Sequence, residues 1–371
     1  MNNFYYNFPT TVFFGEKSID TIIKNGVLNG YKNILILTAG ELTENFNILD
    51  KLEQGVDTKF YIEHTNLSNP STTDVQFYVD KYKSNNIDFV ISIGGGSVID
   101  CAKLFCLTYN GDIDVDTALV NNTFSTNILE QGVFVSVPAS GSEANSSFVI
   151  VNKDFKKLAR ANDNVRPKFA VLDYNYVKTL PKEQLYAAIS DIMSHLLEQY
   201  LSNEAEITLI DDLIIATMKT VIRNQKLLLE DSQNYRALED IMLSATFALS
   251  YLLSMGKSLD WNAHEIEHAI SGRYKSIHGH GLAILFPKYL KLDKVSKYFE
   301  SRLSYLTNEL FEEDSLEQLD QFYAQLCSTS NISDLVNEFD LEVLIEDLFD
   351  GREYIGKNCL ISEEDVRRLF N

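Results

Sequence analysis

Five of the six histidines fall between Asp191 and His280, and two short strings hold them. The first, DIMSH, sets Asp191 and His195 four residues apart. The second, HEIEHAISGRYKSIHGHG, holds His264, His268, His278 and His280. Residues i and i+4 share one face of an α-helix, so Asp191 and His195 can point at a common atom. One carboxylate oxygen with several neutral imidazoles suits a divalent iron or zinc ion. Any one of these histidines alone reads equally well as a core or solvated side chain. The set, on long apolar helices, reads as a metal site.

A second string with chemistry in it is GGGSVIDCAKLF, residues 94–105, directly after the apolar run DFVISI. Gly94, Gly95 and Gly96 permit a tight turn and close backbone approach to a ligand. Free N–H groups at a helix N-terminus, with the helix dipole, attract a pyrophosphate. Ser97 and Asp100 have the S-x-x-D spacing of a capping box. Ile99 stands where a full GxGxxG has its last glycine, so an ordinary strand-to-helix turn is the competing reading. A third string, PASGSEANSS (138–147), is a small-residue loop able to lie against a flat ring or a phosphate, or simply a polar turn.

The elements that must position these strings alternate through the first half. Short strands are expected at Val12–Gly15, Asn33–Thr38, Lys59–Glu63, Asp88–Ile93, Val133–Val137, Phe148–Val151 and Phe169–Leu172. Helical spacing follows through Ile19, Ile22 and Ile23, then around Phe46–Leu52, then at Val75, Tyr78, Val79 and Tyr82. This rhythm predicts an open, mostly parallel sheet. The stretch from Asp112 to Leu129 reads as polar and irregular. Beyond Pro181 the spacing is helical over Leu185–Ser202, Ile207–Leu229, Ala237–Met255, Trp261–Ser271 and Gly281–Leu290, and on to the end with breaks near Gly351 and Gly356. The expectation is an α/β dinucleotide-binding domain over residues 1–181 and an all-helical metal-binding domain over 182–371. A cleft between two such domains is a usual place for a small-molecule site.

Composition narrows the classes. The chain has 371 residues, 45% of them hydrophobic, ample for two cores. A net charge of −21 argues against nucleic acid or an anionic membrane as partner. Cys101, Cys106, Cys327 and Cys359 show no CxxC spacing and read as reduced thiols of a cytoplasmic protein. No signal peptide and no membrane-length apolar run is evident.

Together, GGGSVIDCAK, GSEANSS, DIMSHLLEQY and SMGKSLDWNAHEIEHAISGRYKSIHGHGLAILFP resemble the iron-containing alcohol dehydrogenase family, in its butanol dehydrogenase-like branch. The resemblance runs from near the N-terminus to about residue 290. It implies a Rossmann-like domain followed by a helical domain, the dehydroquinate synthase-like architecture. It implies one divalent metal, Fe2+ before Zn2+, held by Asp191, His195, His264 and His278, because the family's last two ligands stand 14 residues apart. It sets His268 near the nicotinamide and substrate, off the metal. Gly95, Gly96 and Ser97 would hold the pyrophosphate, and Ser140 and Ser142 would line the nicotinamide end. Gly94, Asp100, Thr38 and Gly40 complete the candidate cofactor residues. A homodimer is also implied. His280 and the stretch NKDFKKLARANDNVRP depart from the branch's usual pattern.

The reaction expected is NAD(P)H-linked hydride transfer between nicotinamide and a small aldehyde or primary alcohol. A bound metal can polarise the aldehyde oxygen, and His268 is the candidate proton relay. An apolar pocket around Trp261 and Phe148 would favour uncharged substrates. The strand NILILT ends in Ala39-Gly40 rather than in the acidic residue that would repel a 2′-phosphate, which favours NADP(H) over NAD(H). Glu41 nearby argues the other way. Two rivals stand beside this reading. His264-Glu265-Ile266-Glu267-His268 matches the HExxH of zinc proteases but leaves Asp191, His195 and the glycine turn without a purpose. A lyase of the dehydroquinate synthase type would share the architecture.

Overall fold

The run NILILT holds four apolar residues in a row, Ile34 to Leu37, and it becomes a strand covered on both faces. The computed structural model describes residues 2–40, 42–201 and 207–370; Glu41, and Ser202 at the end of one expected helix, lie outside them. The strands are β1 (Thr11–Phe14), β2 (Asn33–Ala39), β3 (Lys59–Thr65), β4 (Phe89–Gly94), β5 (Glu130–Val135), β6 (Ser147–Val151), β7 (Lys157–Ala161) and β8 (Phe169–Leu172). Six form one parallel sheet in the order β1-β8-β5-β4-β2-β3.

The helices of this first half are α1 (Ser18–Lys24), α2 (Leu42–Asn45), α3 (Ile48–Gly55), α4 (Thr72–Tyr82), α5 (Gly96–Thr108), α6 (Val115–Asn121) and α7 (Tyr174–Val177). Strand side chains alternate between two cores. Leu35, Leu37 and Val90 meet α4 and α5 on one face, while Ile34, Ile36, Phe89 and Ile91 meet α1 and α3 on the other. Helices on both faces of a parallel sheet make this a doubly wound unit. It comprises Asn7–Leu180 together with Gln233–Thr246.

Four local expectations give way here. Ser97 and Asp100 form no capping box: α5 starts at Gly96 on Gly95, with no side-chain cap. The helix thus begins one residue before Ser97, whose hydroxyl donates instead to Ser68 O (2.8 Å). β6 does not join the main sheet but pairs antiparallel with β7, which lies in the stretch NKDFKKLARANDNVRP. Asn152 turns that hairpin, its side-chain oxygen accepting from the N–H of Asp154 and Lys156. β7 (KLARA) has no fully buried residue, so it shows no apolar signal. Between Asp112 and Leu129 lies α6, capped by Asp114 on Thr117 N and too short for its period to show. Phe148 lies in the α4–α5 core, 1% exposed and edge-on to Phe124, rather than lining a pocket.

The second unit comprises the N-terminal residues as far as Tyr6, Pro181–Ser232 and Phe247–Asn371. Its leading helices are α8 (Lys182–Tyr200), α9 (Leu209–Glu230), α11 (Asn262–Tyr274) and α12 (His278–Lys291); α10 (Tyr235–Leu249) lies mostly in the first unit. Further short helices follow between Asp293 and Leu369. Every residue of α8 from Ala187 to Tyr200 is buried, the polar Asp191, His195 and Glu198 among them. α12 begins at His278, three residues before the expected start, so both His278 and His280 sit in its first turn. Two glycines let it come in close. A Cβ on Gly279 would lie 1.9 Å from Ala187 O of α8, and one on Gly281 would lie 2.6 Å from Glu267 Oε1 of α11. Among the described residues no helix is long and apolar enough to cross a membrane.

Candidate functional site

α8 lays Asp191, His195 and Glu198 along one face, at i, i+4 and i+7. α11 contributes His264 and α12 contributes His278. Three imidazoles converge on one carboxylate oxygen. Asp191 Oδ1 lies 3.4 Å from His195 Nε2, 3.7 Å from His264 Nε2 and 3.5 Å from His278 Nε2. Asp191 Oδ1 and His264 Nε2 are buried with no hydrogen-bond partner. Orphaned buried polar atoms are costly unless something absent from a bare chain satisfies them. Ligand atoms on ~2.1 Å bonds around a tetrahedral ion stand about 3.4 Å apart. Asp191, His195 and His264 offer atoms all within 4.8 Å of one another, a donor set that fits a divalent ion, while His278 reaches Asp191 Oδ1 but otherwise groups with Glu267 and His268.

The electrostatics follow from that crowding. Burial opposes a charged Asp191, but His195, His278 and His264 outweigh it and hold the carboxyl well below the usual range. Burial pushes His195 down to about 3 against the pull of Asp191. Burial also works against a charged His264, yet Asp191 and Glu198 on its two nitrogens lift it to about 9. The His195 and His264 rings stack, centroids 4.6 Å apart, and Trp261 stands edge-on to both.

Two carboxylates that the spacing argument did not single out sit behind these rings. Glu198 Oε1 lies 3.5 Å from His264 Nδ1, and Glu267 Oε2 contacts His278 Nδ1. Both carboxylates are buried. Their positions were visible in sequence only as the i+7 partner of Asp191 and as an acid one residue before His268.

His268 is half-buried, its ring centroid 5.0 Å from His278 and 6.3 Å from His264. It groups with Glu267 and His278 rather than with Asp191, His195 and His264. His280 stands apart from the cluster, its Nε2 3.7 Å from Glu183 Oε2 in the first turn of α8. Glu265 pairs with Arg352, so the acid of the HExxH string does not face His264 and His268 as a protease base.

In the sheet unit the glycine turn lies where strand order reverses. From β2 the chain steps outward to β3, then returns to β4 on the other side of β2. The crevice at the carboxyl ends of two such strands is the usual ligand position in open α/β sheets. Here it is bounded by Ala39-Gly40 after β2 and Gly94–Ser97 after β4. Gly40 turns with φ +55°, and its carbonyl meets His64 Nδ1 at 2.9 Å. Thr38 is buried within β2. A Cβ on Gly96 would meet Ser140 Oγ at 2.5 Å, which brings the turn against the 138–147 loop.

That loop is tied to α5 by buried charge. Ser142 Oγ donates to Asp100 Oδ1 (2.6 Å), and Val149 N donates to Asp100 Oδ2 (2.9 Å). Lys103 Nζ donates to Ser142 Oγ, Asn145 Oδ1 and Ser147 O. Burial pushes Lys103 down to about 8 and pushes Asp100 up, each resisted by the other's charge. Asp100 and Ser142 are buried and hold the loop to α5, while Gly95, Gly96, Ser97 and Ser140 are only partly buried.

Residues 9–174 match the family model for iron-containing alcohol dehydrogenase, and residues 186–371 match that for the Fe-containing alcohol dehydrogenase family, C-terminal. The chain belongs to the iron-containing alcohol dehydrogenase family. It is 34% identical over 295 residues to the NADH-dependent butanol dehydrogenase A of Clostridium acetobutylicum, covering 78% of this chain and 76% of the relative. It is 26% identical to the NADPH-dependent aldehyde reductase YqhD of Escherichia coli, covering 100% of this chain and 99% of that one. The fold matches the crystal structure of the NADH-dependent butanol dehydrogenase A of Thermotoga maritima with a TM-score of 0.92 at 24% identity, over 100% of this chain and 98% of the other.

Proposed function

We propose that this alcohol dehydrogenase interconverts small aldehydes and primary alcohols of butyraldehyde size, with NAD(P)H as hydride source. The observation that carries the reading is the convergence of three Nε2 atoms on Asp191 Oδ1. Asp191, His195, His264 and His278 would hold one divalent ion, Fe2+ in preference to Zn2+. When bound, the ion supplies Lewis acidity toward a carbonyl or alkoxide oxygen and the reduced nicotinamide supplies the hydride.

The chain's own residues do the rest. Asp191 brings one negative charge to three imidazoles, so the assembled centre keeps a net positive charge. The buried α8 excludes water from Asp191 and His195. His268 holds a proton at a ring nitrogen and passes it to the product alkoxide. Backbone N–H groups of the Gly94–Ser97 turn bind the pyrophosphate, and Ser140 positions the nicotinamide end; Ser142, expected beside it, is buried against Asp100 and Lys103 and acts only by holding that loop. Gly40 flanks the adenosine end, where Ala39-Gly40 supports NADP(H); Thr38, expected there too, has no exposed surface and lies inside β2. The names of the two relatives carry NADH in one case and NADPH in the other. The family resemblance further supports a cytoplasmic homodimer.

The test is direct. Purified protein loaded with Fe2+ is mixed with butyraldehyde and NADH or NADPH, and the absorbance of the reduced nicotinamide is followed. Aldehyde-dependent oxidation supports the reading; none with either cofactor overturns it.

A further inference from the structure

Glu198 is a buried carboxylate that, among the described residues, faces the start of another helix and the imidazole of His264. Its Oε1 accepts from Ala263 N (2.8 Å) and His264 N (3.2 Å), and stands 3.5 Å from His264 Nδ1. The first two are N–H groups of the opening turn of α11, which an N-terminal cap normally satisfies. α11 has no such cap of its own. Its N-cap position is Trp261, left-handed at φ +61°, with no side-chain cap bond.

The residues on either side of Trp261 are engaged elsewhere. Asp260 accepts from the N–H groups of Lys357, Asn358 and Cys359. Asn262 Nδ2 donates to Tyr289 Oη and Cys359 O. The cap is therefore lent by α8, from the same face that carries Asp191 and His195.

We infer that Glu198 is a positioning residue that fixes His264 for the metal twice over, through the backbone of its turn and through its ring. An acceptor at Nδ1 keeps the proton on that nitrogen and leaves Nε2, the atom facing Asp191 Oδ1, as the ligating one. The added negative charge makes the imidazole a better donor. The backbone bonds and the ring contact share one oxygen, so a single Glu198 atom serves both the opening turn of α11 and the His264 ring. This inference rests on the ligand assignment proposed above.

The experiment compares Glu198→Gln and Glu198→Leu with the wild-type chain, reading Zn2+ affinity by chelator competition and the melting temperature of the metal-free protein. Gln keeps an oxygen where the cap needs it and removes the charge. Glu198→Gln should melt close to wild type without metal while binding Zn2+ roughly 10–100-fold more weakly. Glu198→Leu should lose both, with a lower melting temperature and weaker binding still. Unchanged affinity in Glu198→Gln overturns the inference, as does a Leu variant that melts early yet binds Zn2+ as wild type does. Wild-type protein that takes up no Zn2+, or an Asp191→Asn variant that binds it undiminished, overturns the ligand assignment itself and this inference with it.

Discussion

Arg352 Nη2 donates to Glu265 Oε1 across 2.6 Å, and this pair turns the acid of HEIEH away from its two histidines. A hydrolase built on that string would use Glu265 to activate water between His264 and His268. Here the pair is partly exposed, and such pairs are worth about 0.2–1 kcal/mol. Glu265→Gln should therefore leave metal content and most aldehyde reduction intact. His268→Ala should keep the ion and slow reduction roughly 10²–10⁴-fold, the contribution of a positioned proton donor. Metal analysis and steady-state rates on both variants give opposite patterns under the two chemistries.

Changing any of Asp191, His195, His264 and His278 to Ala should strip the ion and abolish turnover. Full metal occupancy in His264→Ala and His278→Ala proteins would disprove the assignment. In the wild-type protein, free metal at 100 times its Kd should raise stability by about 2.7 kcal/mol, and a chelator should remove that increment. Thermal melts with and without chelator check it.

The fold class was legible in the sequence, and so was part of the side-chain cluster around Asp191. Asp191 and His195 could be read together because helical spacing is a local property. His278 needed a helix start that Gly279 and Gly281 disguise, since glycines read as a loop while serving close packing against Ala187 and Glu267. Glu198 and Glu267 escaped because their partners lie on other helices. The buried strands of the sheet were legible as apolar runs, whereas β7 was not, being a charged hairpin arm with no fully buried residue. Ser97 and Asp100 matched a capping box by spacing, but tertiary partners, Ser68 for one and Ser142 with Val149 for the other, claimed both side chains.

Gly279→Ala should be strongly destabilising, because the added methyl meets backbone atoms of Ala187 that cannot rotate aside. Overpacking usually costs about 1–3 kcal/mol, and this site should reach the upper end. Gly281→Ala instead presses on the Glu267 side chain. That variant should lose less stability but more metal affinity, since Glu267 contacts His278. Denaturant melts of metal-free protein and Zn2+ titrations separate the two effects.

Asp211 gives the helical unit an acid-sensitive joint. It is fully buried, with Lys257 Nζ at 2.6 Å and Arg302 Nη2 at 2.5 Å. Burial works against its charge, but the two cations overcome it and hold its carboxyl below the usual range. A carboxyl depressed by folding adds stability above its unfolded pKa, about 3.9, and that stability is lost as pH falls through the folded value. Asp211→Asn should cost about 3–5 kcal/mol near neutral pH, because it leaves two buried cations without their shared counter-charge. The loss should shrink as pH falls below that of the unfolded carboxyl. Urea melts of both proteins from neutral pH downward would show the two curves converging; a constant gap would refute the assignment.

Gly95 tests the cofactor turn without touching the metal centre. A Cβ there would lie 2.8 Å from Val137 Cβ, a branch point with no freedom to move aside. Gly95→Ala must therefore shift the backbone N–H groups of the turn, the proposed pyrophosphate donors. If the cofactor complex bears about 1–3 kcal/mol of that misfit, its Kd rises roughly tenfold to a hundredfold. Metal content should stay at the wild-type level. Fluorescence titration of metal-free protein with NADPH and NADH reads this directly and ranks the two cofactors. The Ala39-Gly40 ending of β2 leads us to expect tighter binding and higher kcat/KM with NADPH. A clear NADH preference would mean that a carboxylate near that strand end holds the ribose hydroxyls. Equal affinity in the Gly95→Ala and wild-type proteins would remove the turn from the cofactor site altogether.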